Sequence, residues 1–214
     1  MSDLRTHPRF VTVEGGEGAG KTTVLNALRK VLEESGAEVV CTREPGGTPL
    51  AERIRALLLD PHHEAPAPET ELLLMFAARV QHVRELILPA LERGAWVLSD
   101  RFTDSSYAYQ GGGRGLDVAL IADLERRVVG LRPGLTLLLD LGVHQGRERM
   151  QVRDAAPDRI ERERDEFFET VRAAYLARAQ AEPQRIRVVD ASSSAADVAY
   201  RASALLQHYL GVAP

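Results

Sequence analysis

The chain has 214 residues, of which 44% are apolar and 27% are charged, and its formal net charge is −4. These values are typical of one globular domain with a sizeable core, and the weak negative charge provides no bulk attraction for nucleic acid or an anionic membrane. The longest apolar run, residues 72–78, is far shorter than the roughly 20 residues that span a bilayer. The polar N-terminus lacks a secretory signal, and a single cysteine excludes a disulfide framework, so we expect a cytoplasmic protein.

Strand-like and helix-like segments alternate along the chain. Short apolar or β-branched runs predict strands at 10–14, 38–41, 96–99, 135–141 and 186–189. The spacing of apolar residues predicts helices at 21–34, 50–59, 69–93, 116–129, 162–181 and 195–210. The alternation predicts an α/β fold with a five-stranded parallel sheet flanked by helices. Since no repeat or long linker divides the chain, we expect residues 1–214 to form one domain.

A glycine-rich segment between the first predicted strand and the first predicted helix matches the pattern GxxxxGK[ST]. This position is the one in which the pattern forms a phosphate-binding loop. Glycines let successive N–H groups point at one anion, Lys21 can reach the β- and γ-phosphates, and the Thr22 hydroxyl can bind Mg²⁺. The candidate ATP-binding residues are Gly15, Gly16, Glu17, Gly18, Ala19, Gly20, Lys21, Thr22 and Thr23.

Polar residues at the ends of the predicted strands narrow the chemistry of this loop. The chain is too short for a helicase core and has no NKxD guanine-reading pattern, which disfavours a GTPase. Asp100 and Asp140 compete as the second acid near Mg²⁺, and periodicity does not choose between them. Arg43 and Arg101 follow two strands of an open α/β sheet, where ligands gather, so they favour a phosphate acceptor rather than water.

Five further motifs follow the phosphate loop: TREPGGT at 42–48, FAAR at 76–79, DRF at 100–102, YQGGGRG at 109–115 and DRIE at 158–161. Together with the loop they resemble the motifs of thymidylate kinases, over nearly the whole chain. The resemblance implies a P-loop nucleoside monophosphate kinase-like fold with a mobile lid, in a homodimer. It also implies transfer of the γ-phosphoryl group of ATP to dTMP with Mg²⁺, giving dTDP and ADP for dTTP synthesis. The expected partners are these two small molecules, without nucleic acid or membrane.

The resemblance assigns the acceptor site residue by residue. Arg43 and Arg101 correspond to the pair that grips the dTMP phosphate, and Arg79 to the side chain that reads the thymine edge. Phe76 corresponds to the ring that stacks on thymine, although Met75, on the same helical face, occupies the position used by some relatives. The remaining candidate contacts are Ser106 and Gln110 to the base, Tyr109 beneath the sugar and Glu17 to the sugar 3′-hydroxyl. Asp100 becomes the acid expected beside Mg²⁺, with Thr22.

The expected lid, residues 147–158, carries candidates for the arginine that stabilises the transferred group. Arg149 and Arg153 are four residues apart, so they share one face if the segment is helical. Because the phosphate loop has no arginine, the resemblance implies the bacterial lid-arginine type, with Arg153 favoured over Arg149. Gln151 stands where some relatives carry another arginine, and we expect Arg147 on a solvated helix face. The catalytic candidates are therefore Lys21, Asp100, Arg149 and Arg153.

Two other functions remain open on the sequence alone. The chain could be another nucleotide or deoxynucleoside kinase on the same scaffold, because one thymine methyl provides only about 1–3 kcal/mol of discrimination. It could also be a nucleotide-binding regulator that retains the phosphate loop for folding. Formation of ADP with a panel of monophosphates separates these possibilities from a dTMP kinase.

Overall fold

The computed structural model describes residues 4–62, 64–151 and 157–211. Within these ranges the strands are β1 (Arg5–Gly15), β2 (Val39–Arg43), β3 (Trp96–Asp100), β4 (Leu131–Asp140) and β5 (Ile186–Asp190). They form one parallel sheet in the order β2-β3-β1-β4-β5. The predicted five-stranded parallel sheet is confirmed. β1 lies at its centre, so the glycine-rich segment that follows β1 lies at the middle of the sheet's carboxyl edge.

Helices cover both faces of the sheet. The α-helices are α1 (Lys21–Glu34), α2 (Pro49–Leu59), α3 (Pro68–His82), α4 (Leu88–Glu92), α5 (Thr103–Ser106), α6 (Val118–Leu124), α7 (Val143–Gln151), α8 (Asp165–Ala181) and α9 (Ala195–Tyr209). Wider π-helical turns occupy Val83–Ile87, Tyr107–Gly113 and Glu125–Val129. The predicted long helix at 69–93 is thus α3 and α4 joined by a π-helical turn. This turn precedes Pro89, which lacks the N–H needed for a regular α-helical hydrogen bond.

Alternate residues of the central strands point to opposite sides of the sheet and build separate parts of the core. Val11 and Val13 pack with Leu28 of α1 and Leu206 of α9. Phe10 faces the other way, into a cluster that includes Leu72, Phe76 and Phe102. Burial on both faces explains why these strands consist of near-continuous apolar runs.

The helical stretch from Thr103 to Gly113 was not predicted, because its three glycines disfavour a helix. The structure shows what these glycines do. A Cβ on Gly112 would lie 2.7 Å from the Cβ of Ala174, and one on Gly113 would collide with the ring of Phe167. Glycine therefore allows this stretch to lie directly against α8. That requirement comes from a helix far away in the sequence, so local pattern does not reveal it.

Candidate active site

The glycine-rich segment forms a tight loop between β1 and α1. Gly15, Gly18 and Gly20 have positive φ values of 140°, 72° and 89°, a region that side chains disfavour. The Lys21 ammonium folds back over the loop and donates to the carbonyls of Gly15 and Gly16 at 3.3 and 3.0 Å. Burial, with the nearby Arg101 guanidinium, lowers the pKa of Lys21. The loop thus holds the Lys21 ammonium at the position that the phosphates of a bound nucleotide would face.

Arg101, just after β3, connects this loop to the rest of the cleft. Its Nη1 donates to the Gly15 carbonyl at 2.9 Å, and its Nη2 donates to Glu17 Oε1 at 2.6 Å and to the Tyr109 hydroxyl at 3.0 Å. The Tyr109 hydroxyl donates in turn to Glu17 Oε1 at 3.0 Å. The structure therefore brings together Glu17, Arg101 and Tyr109, which come from three different motifs of the sequence.

The backbone of Arg101 is left-handed, with φ of 70°, which is uncommon for a residue other than glycine. Three hydrogen bonds hold it: Arg101 N donates to the Val13 carbonyl at 3.0 Å, Ser99 Oγ donates to the Arg101 carbonyl at 2.7 Å, and Phe102 N donates to Glu14 Oε1 at 2.7 Å. Such strained conformations persist where the surroundings over-determine them, and they cluster at functional sites.

Glu14 is a buried carboxyl group of this site that the sequence did not reveal. Its Oε2 accepts hydrogen bonds from the hydroxyls of Ser105 at 2.6 Å and Tyr175 at 2.7 Å. Burial, with Asp104 nearby, raises the pKa of Glu14 to about 7. In the sequence the residue is the end of an apolar strand, and its environment comes from distant segments that pack around it, among them Ser105 of α5 and Tyr175 of α8.

Arg79 of α3 is buried at the far end of the cleft, where a network holds it. Its Nε donates to Glu44 Oε2 at 2.6 Å, its Nη1 to Ser106 Oγ at 3.0 Å and its Nη2 to the Phe102 carbonyl at 3.0 Å. His82 Nδ1 lies 3.0 Å from Glu44 Oε1 and helps to fix the carboxylate. Glu44 is the third residue of TREPGGT, and its role in orienting Arg79 was not predicted.

The residues around Arg79 separate into pocket wall and core. The ring of Phe76 is buried, and the Arg79 guanidinium lies 4.8 Å from its centroid. Met75 lines the cleft itself. Gln110 also lines the cleft, and its Nε2 donates to Glu71 Oε1 at 2.8 Å. Of the two side chains left open by the sequence, Met75 is thus the one on the pocket wall.

Arg43 and Arg55 stand at the opposite wall. Arg43 ends β2 and pairs with Glu52 at 3.1 Å, but more than half of its side chain is exposed. Arg55 of α2 donates to the Pro45 carbonyl at 2.9 Å. Burial and the proximity of Arg43 lower the pKa of Arg55. Arg55 lies outside every motif, so the sequence reading missed it.

The two strand-end aspartates differ in their partners. Asp140 receives a bidentate pair of hydrogen bonds from Arg172, at 2.7 and 3.0 Å. Asp100 lines the cleft, and its Oδ1 is buried without a hydrogen-bond partner among residues 4–62, 64–151 and 157–211. A buried carboxylate oxygen without a protein donor fits a cation ligand better than a carboxylate held in a bidentate ion pair, which favours Asp100 over Asp140 as the acid near the nucleotide.

Of the segment expected to form the lid, the described residues 147–151 and 157–158 contribute Arg149 and Asp158 to the lining of the cleft. Arg149 Nη2 faces the carbonyls of Ser192 and Ser193 at 3.4 and 3.3 Å. Arg153 lies outside the described residues. Arg147 was expected on a solvated face; instead it is partly buried, pairs with Asp165 at 2.9 Å and stacks over Phe168 at 4.8 Å. It therefore fastens α7 to α8.

These elements enclose a cleft of about 520 Å³. Lys21, Thr22 and Asp100 line one part of it, and Arg79, Ser106 and Gln110 line another. Strand ends of an open parallel sheet, a phosphate loop and facing arginines define the class: a P-loop enzyme that moves a phosphoryl group between two anionic substrates.

Comparison with known proteins specifies the family. Residues 13–201 match the family model described as thymidylate kinase. The thymidylate kinase of Pseudomonas entomophila is 59% identical over 198 residues, which cover 92% of this chain and 94% of that protein. That of Hahella chejuensis is 57% identical over 190 residues, covering 88% and 91%. The crystal structure of thymidylate kinase from Ehrlichia chaffeensis superposes with a TM-score of 0.77 at 33% identity, covering 92% of this chain and 98% of that one.

The chain belongs to the thymidylate kinase family. It phosphorylates dTMP to dTDP with ATP as the phosphoryl donor, a step of dTDP biosynthesis. The predicted fold and the predicted activity are thereby confirmed, and the two alternative functions are not favoured.

Proposed function

We propose that the cleft binds both substrates at once, with ATP on the phosphate loop and dTMP between Arg101 and Arg79. The observation that carries this arrangement is the position of Arg101, whose guanidinium contacts both the loop carbonyl of Gly15 and the acceptor-side hydroxyl of Tyr109. An anion held by Arg101 would lie beside the γ-phosphate of a nucleotide on the loop. Positioning of this kind supplies much of the rate enhancement in phosphoryl transfer.

On the donor side, residues 15–23 would cradle the ATP phosphates with backbone N–H groups, and Lys21 would neutralise charge on the β- and γ-oxygens. Thr22 and Asp100 would hold Mg²⁺. The unpartnered Oδ1 of Asp100 fits a cation ligand, and no cluster of three or more acidic, His or Cys side chains is found in the described ranges. A site with so few protein ligands is typical of Mg²⁺, which fills the rest of its coordination shell with waters and substrate phosphates. The ion would neutralise charge on those phosphates.

On the acceptor side, Arg43 and Arg101 would bind the dTMP phosphate. Arg55, which lies close to Arg43 and also lines the cleft, would contribute a third positive charge to this phosphate site. Arg79, Ser106 and Gln110 would contact the base, and Glu17 would accept a hydrogen bond from the 3′-hydroxyl of the sugar. Because the attacking phosphate oxygen is already an anion, the reaction needs no strong general base.

The sides of the thymine ring and the deoxyribose would be covered by apolar and aromatic groups. Tyr109 would pack under the sugar, where a ribose 2′-hydroxyl would not fit. Met75 would cover one face of the base. Phe76, buried behind the pocket wall, would help to hold the Arg79 guanidinium through its ring. The lid would supply the arginine that stabilises the transferred phosphoryl group, with Arg153 first and Arg149 second.

We also propose a homodimer, which the family resemblance implies, in the cytoplasm. Half-exposed leucines on α2 and α3, Leu50, Leu57 and Leu73, support an apolar face for a second copy. Light scattering of the wild type should give twice the mass of one chain, and Leu73→Glu should reduce it. No helix in the described ranges is long and apolar enough to cross a membrane.

An assay of ADP release with a panel of nucleoside monophosphates tests the proposed site. ADP should form with dTMP and more slowly with dUMP, and EDTA should abolish the reaction until Mg²⁺ is restored. Gln110→Ala should raise the KM for dTMP and leave the KM for ATP nearly unchanged. An unchanged KM for dTMP in that variant would show that the base binds elsewhere.

A further inference from the structure

Glu71 is a buried carboxylate one helical turn before Met75 and two turns before Arg79 on α3. Residues four apart share a face of a helix, so these three side chains follow one stripe towards the cleft. Unlike Met75 and Arg79, Glu71 does not line the cleft but lies behind Gln110, which does. Neither the phosphate loop nor the motifs of the sequence assign it a role.

Three side chains donate to the Glu71 carboxylate. Gln110 Nε2 donates to Oε1 at 2.8 Å and Arg159 Nη2 to Oε2 at 2.7 Å. Arg114 donates to both oxygens, from Nε to Oε1 at 3.3 Å and from Nη2 to Oε2 at 3.2 Å. Burial alone would raise the pKa of Glu71, but these hydrogen bonds and the Arg114 charge outweigh it and lower the pKa. The group is therefore an ionised carboxylate, which accepts hydrogen bonds and donates none.

An acceptor-only neighbour determines which way the Gln110 amide is turned. The NH₂ group must face Glu71, so the carbonyl oxygen is turned away from it. Within the described residues, Glu71 is the only hydrogen-bond partner of the Gln110 side chain. Gln110 therefore offers a hydrogen-bond acceptor to a ligand in the cleft, whereas Arg79 beside it offers N–H donors.

This donor–acceptor pair matches one kind of pyrimidine edge. Thymine presents the O4 acceptor and the N3–H donor side by side, which complement Arg79 and the Gln110 carbonyl. Cytosine presents an N4 amino donor and an N3 acceptor, so both interactions would be reversed. Uracil has the same edge as thymine and differs only by the methyl group.

We propose that Glu71 is a specificity-determining positioning residue, which fixes the Gln110 amide so that its carbonyl accepts the N3–H of thymine and cytosine nucleotides are rejected. The inference rests on the proposed placement of the base between Arg79 and Gln110. A site that hydrogen-bonds one edge rejects the reversed edge strongly, because its buried groups are left unpaired.

The test is the Glu71→Gln variant with dTMP, dUMP and dCMP as acceptors. A glutamine at this position can donate as well as accept, so the Gln110 amide is free to turn over. We expect the ratio of kcat/KM for dTMP to that for dCMP to fall at least tenfold. The dTMP to dUMP ratio should stay within about threefold, because those two bases share the edge that Gln110 reads.

Arg159→Gln is the matched control, because it removes one donor from Glu71 and leaves the Gln110 contact intact. Both ratios should stay at the wild-type values in this variant, even if its thermal stability falls. If Glu71→Gln does not fold, Glu71→Asp withdraws the carboxylate from Gln110 and should lower the dTMP to dCMP ratio in the same way.

Two results would overturn the proposal: an unchanged dTMP to dCMP ratio in the folded variant, or an equal fall in both ratios, which would indicate general loosening of the pocket. Gln110→Ala separates this failure from failure of the proposed site. If that variant binds dTMP weakly while Glu71→Gln keeps its discrimination, only the role of Glu71 is wrong. If Gln110→Ala has no effect on dTMP, the placement of the base itself is wrong.

Discussion

Arg43 of the cleft differs from Arg178 near the end of α8 and Arg185 just after it in what neutralises the charge. Arg185 donates two hydrogen bonds to the buried Asp104, at 2.7 and 2.9 Å, and Arg178 donates two more, at 3.2 and 2.9 Å. These hydrogen bonds and charges outweigh burial and hold the pKa of Asp104 at about 2. Arg43, in contrast, has Glu52 as its one ion-pair partner within the described ranges and stays more than half exposed. Arg178 and Arg185, the α8 group, are neutralised inside the protein, whereas the side chain of Arg43 stays accessible to a ligand.

Arginine therefore serves two separable purposes in this protein: it stabilises the fold where it is buried and paired, and it binds substrate where it lines the cleft. Removing a partner from the α8 group leaves a buried charge without compensation, which costs folding free energy. Arg43 of the cleft is more than half exposed, so its removal should leave the fold nearly intact and remove an interaction made with substrate. Stability and activity should therefore respond to different substitutions.

The largest effect should come from the lid. Arg153→Ala should lower kcat by about 10³-fold or more, because an arginine that stabilises the transferred phosphoryl group contributes on this scale. Affinity for dTMP, measured by calorimetry, should change little. Arg149→Ala is the comparison variant and should have the smaller effect. A kcat for Arg153→Ala within a few-fold of the wild type would show that Arg153 does not stabilise the transition state.

The α8 group should respond in stability. Asp104→Asn removes the charge shared by Arg178 and Arg185, so the free energy of unfolding should fall by about 3–5 kcal/mol. Urea unfolding measures this change. Asp123→Asn is the control, since Asp123 pairs with Arg126 at the surface and such pairs contribute little. Equal losses in the two variants would remove the distinction between buried and exposed arginine pairs.

Within the cleft, Arg101→Ala should weaken dTMP binding about a hundredfold, because charge-assisted hydrogen bonds to phosphate are among the strongest polar contacts. Calorimetric titration with dTMP measures the loss, and titration with ATP provides the internal control. Unchanged dTMP affinity would contradict the assignment of Arg101 to the acceptor phosphate.

The smallest effect should be the pH dependence that Glu14 contributes. Because its pKa is raised from 4.5 to about 7, its contribution to stability is fully present below pH 4.5 and is lost as the pH rises through 7. Glu14→Gln should gain about 1–3 kcal/mol relative to the wild type between pH 5 and pH 8. Urea unfolding at several pH values tests this, and parallel curves for the two proteins would refute it.

Much of the fold followed from local pattern. The strands at 10–14, 96–99 and 186–189 and the helices at 21–34 and 195–210 lie within two residues of their observed ends, apart from the N-terminal extension of β1 to Arg5. Apolar periodicity and glycine or serine boundaries are local properties, so they appear in one sequence. The helical stretch at Thr103–Gly113 could not be predicted in this way, because its glycines are required by close packing against α8 and not by local backbone preference.

The site divides in the same way. By itself, the sequence determined the phosphate loop, the cationic and acidic side chains at the strand ends and the resemblance to one kinase family, because motif spacing fixes backbone geometry over a few residues. Only the tertiary structure decided that Asp140 pairs with Arg172, that Met75 rather than Phe76 lines the cleft, and that Glu14, Arg55 and Glu71 stand behind or beside the site. The physical reason is that burial, charge pairing and the orientation of an amide depend on neighbours from distant segments, which meet only when the sheet and helices have packed.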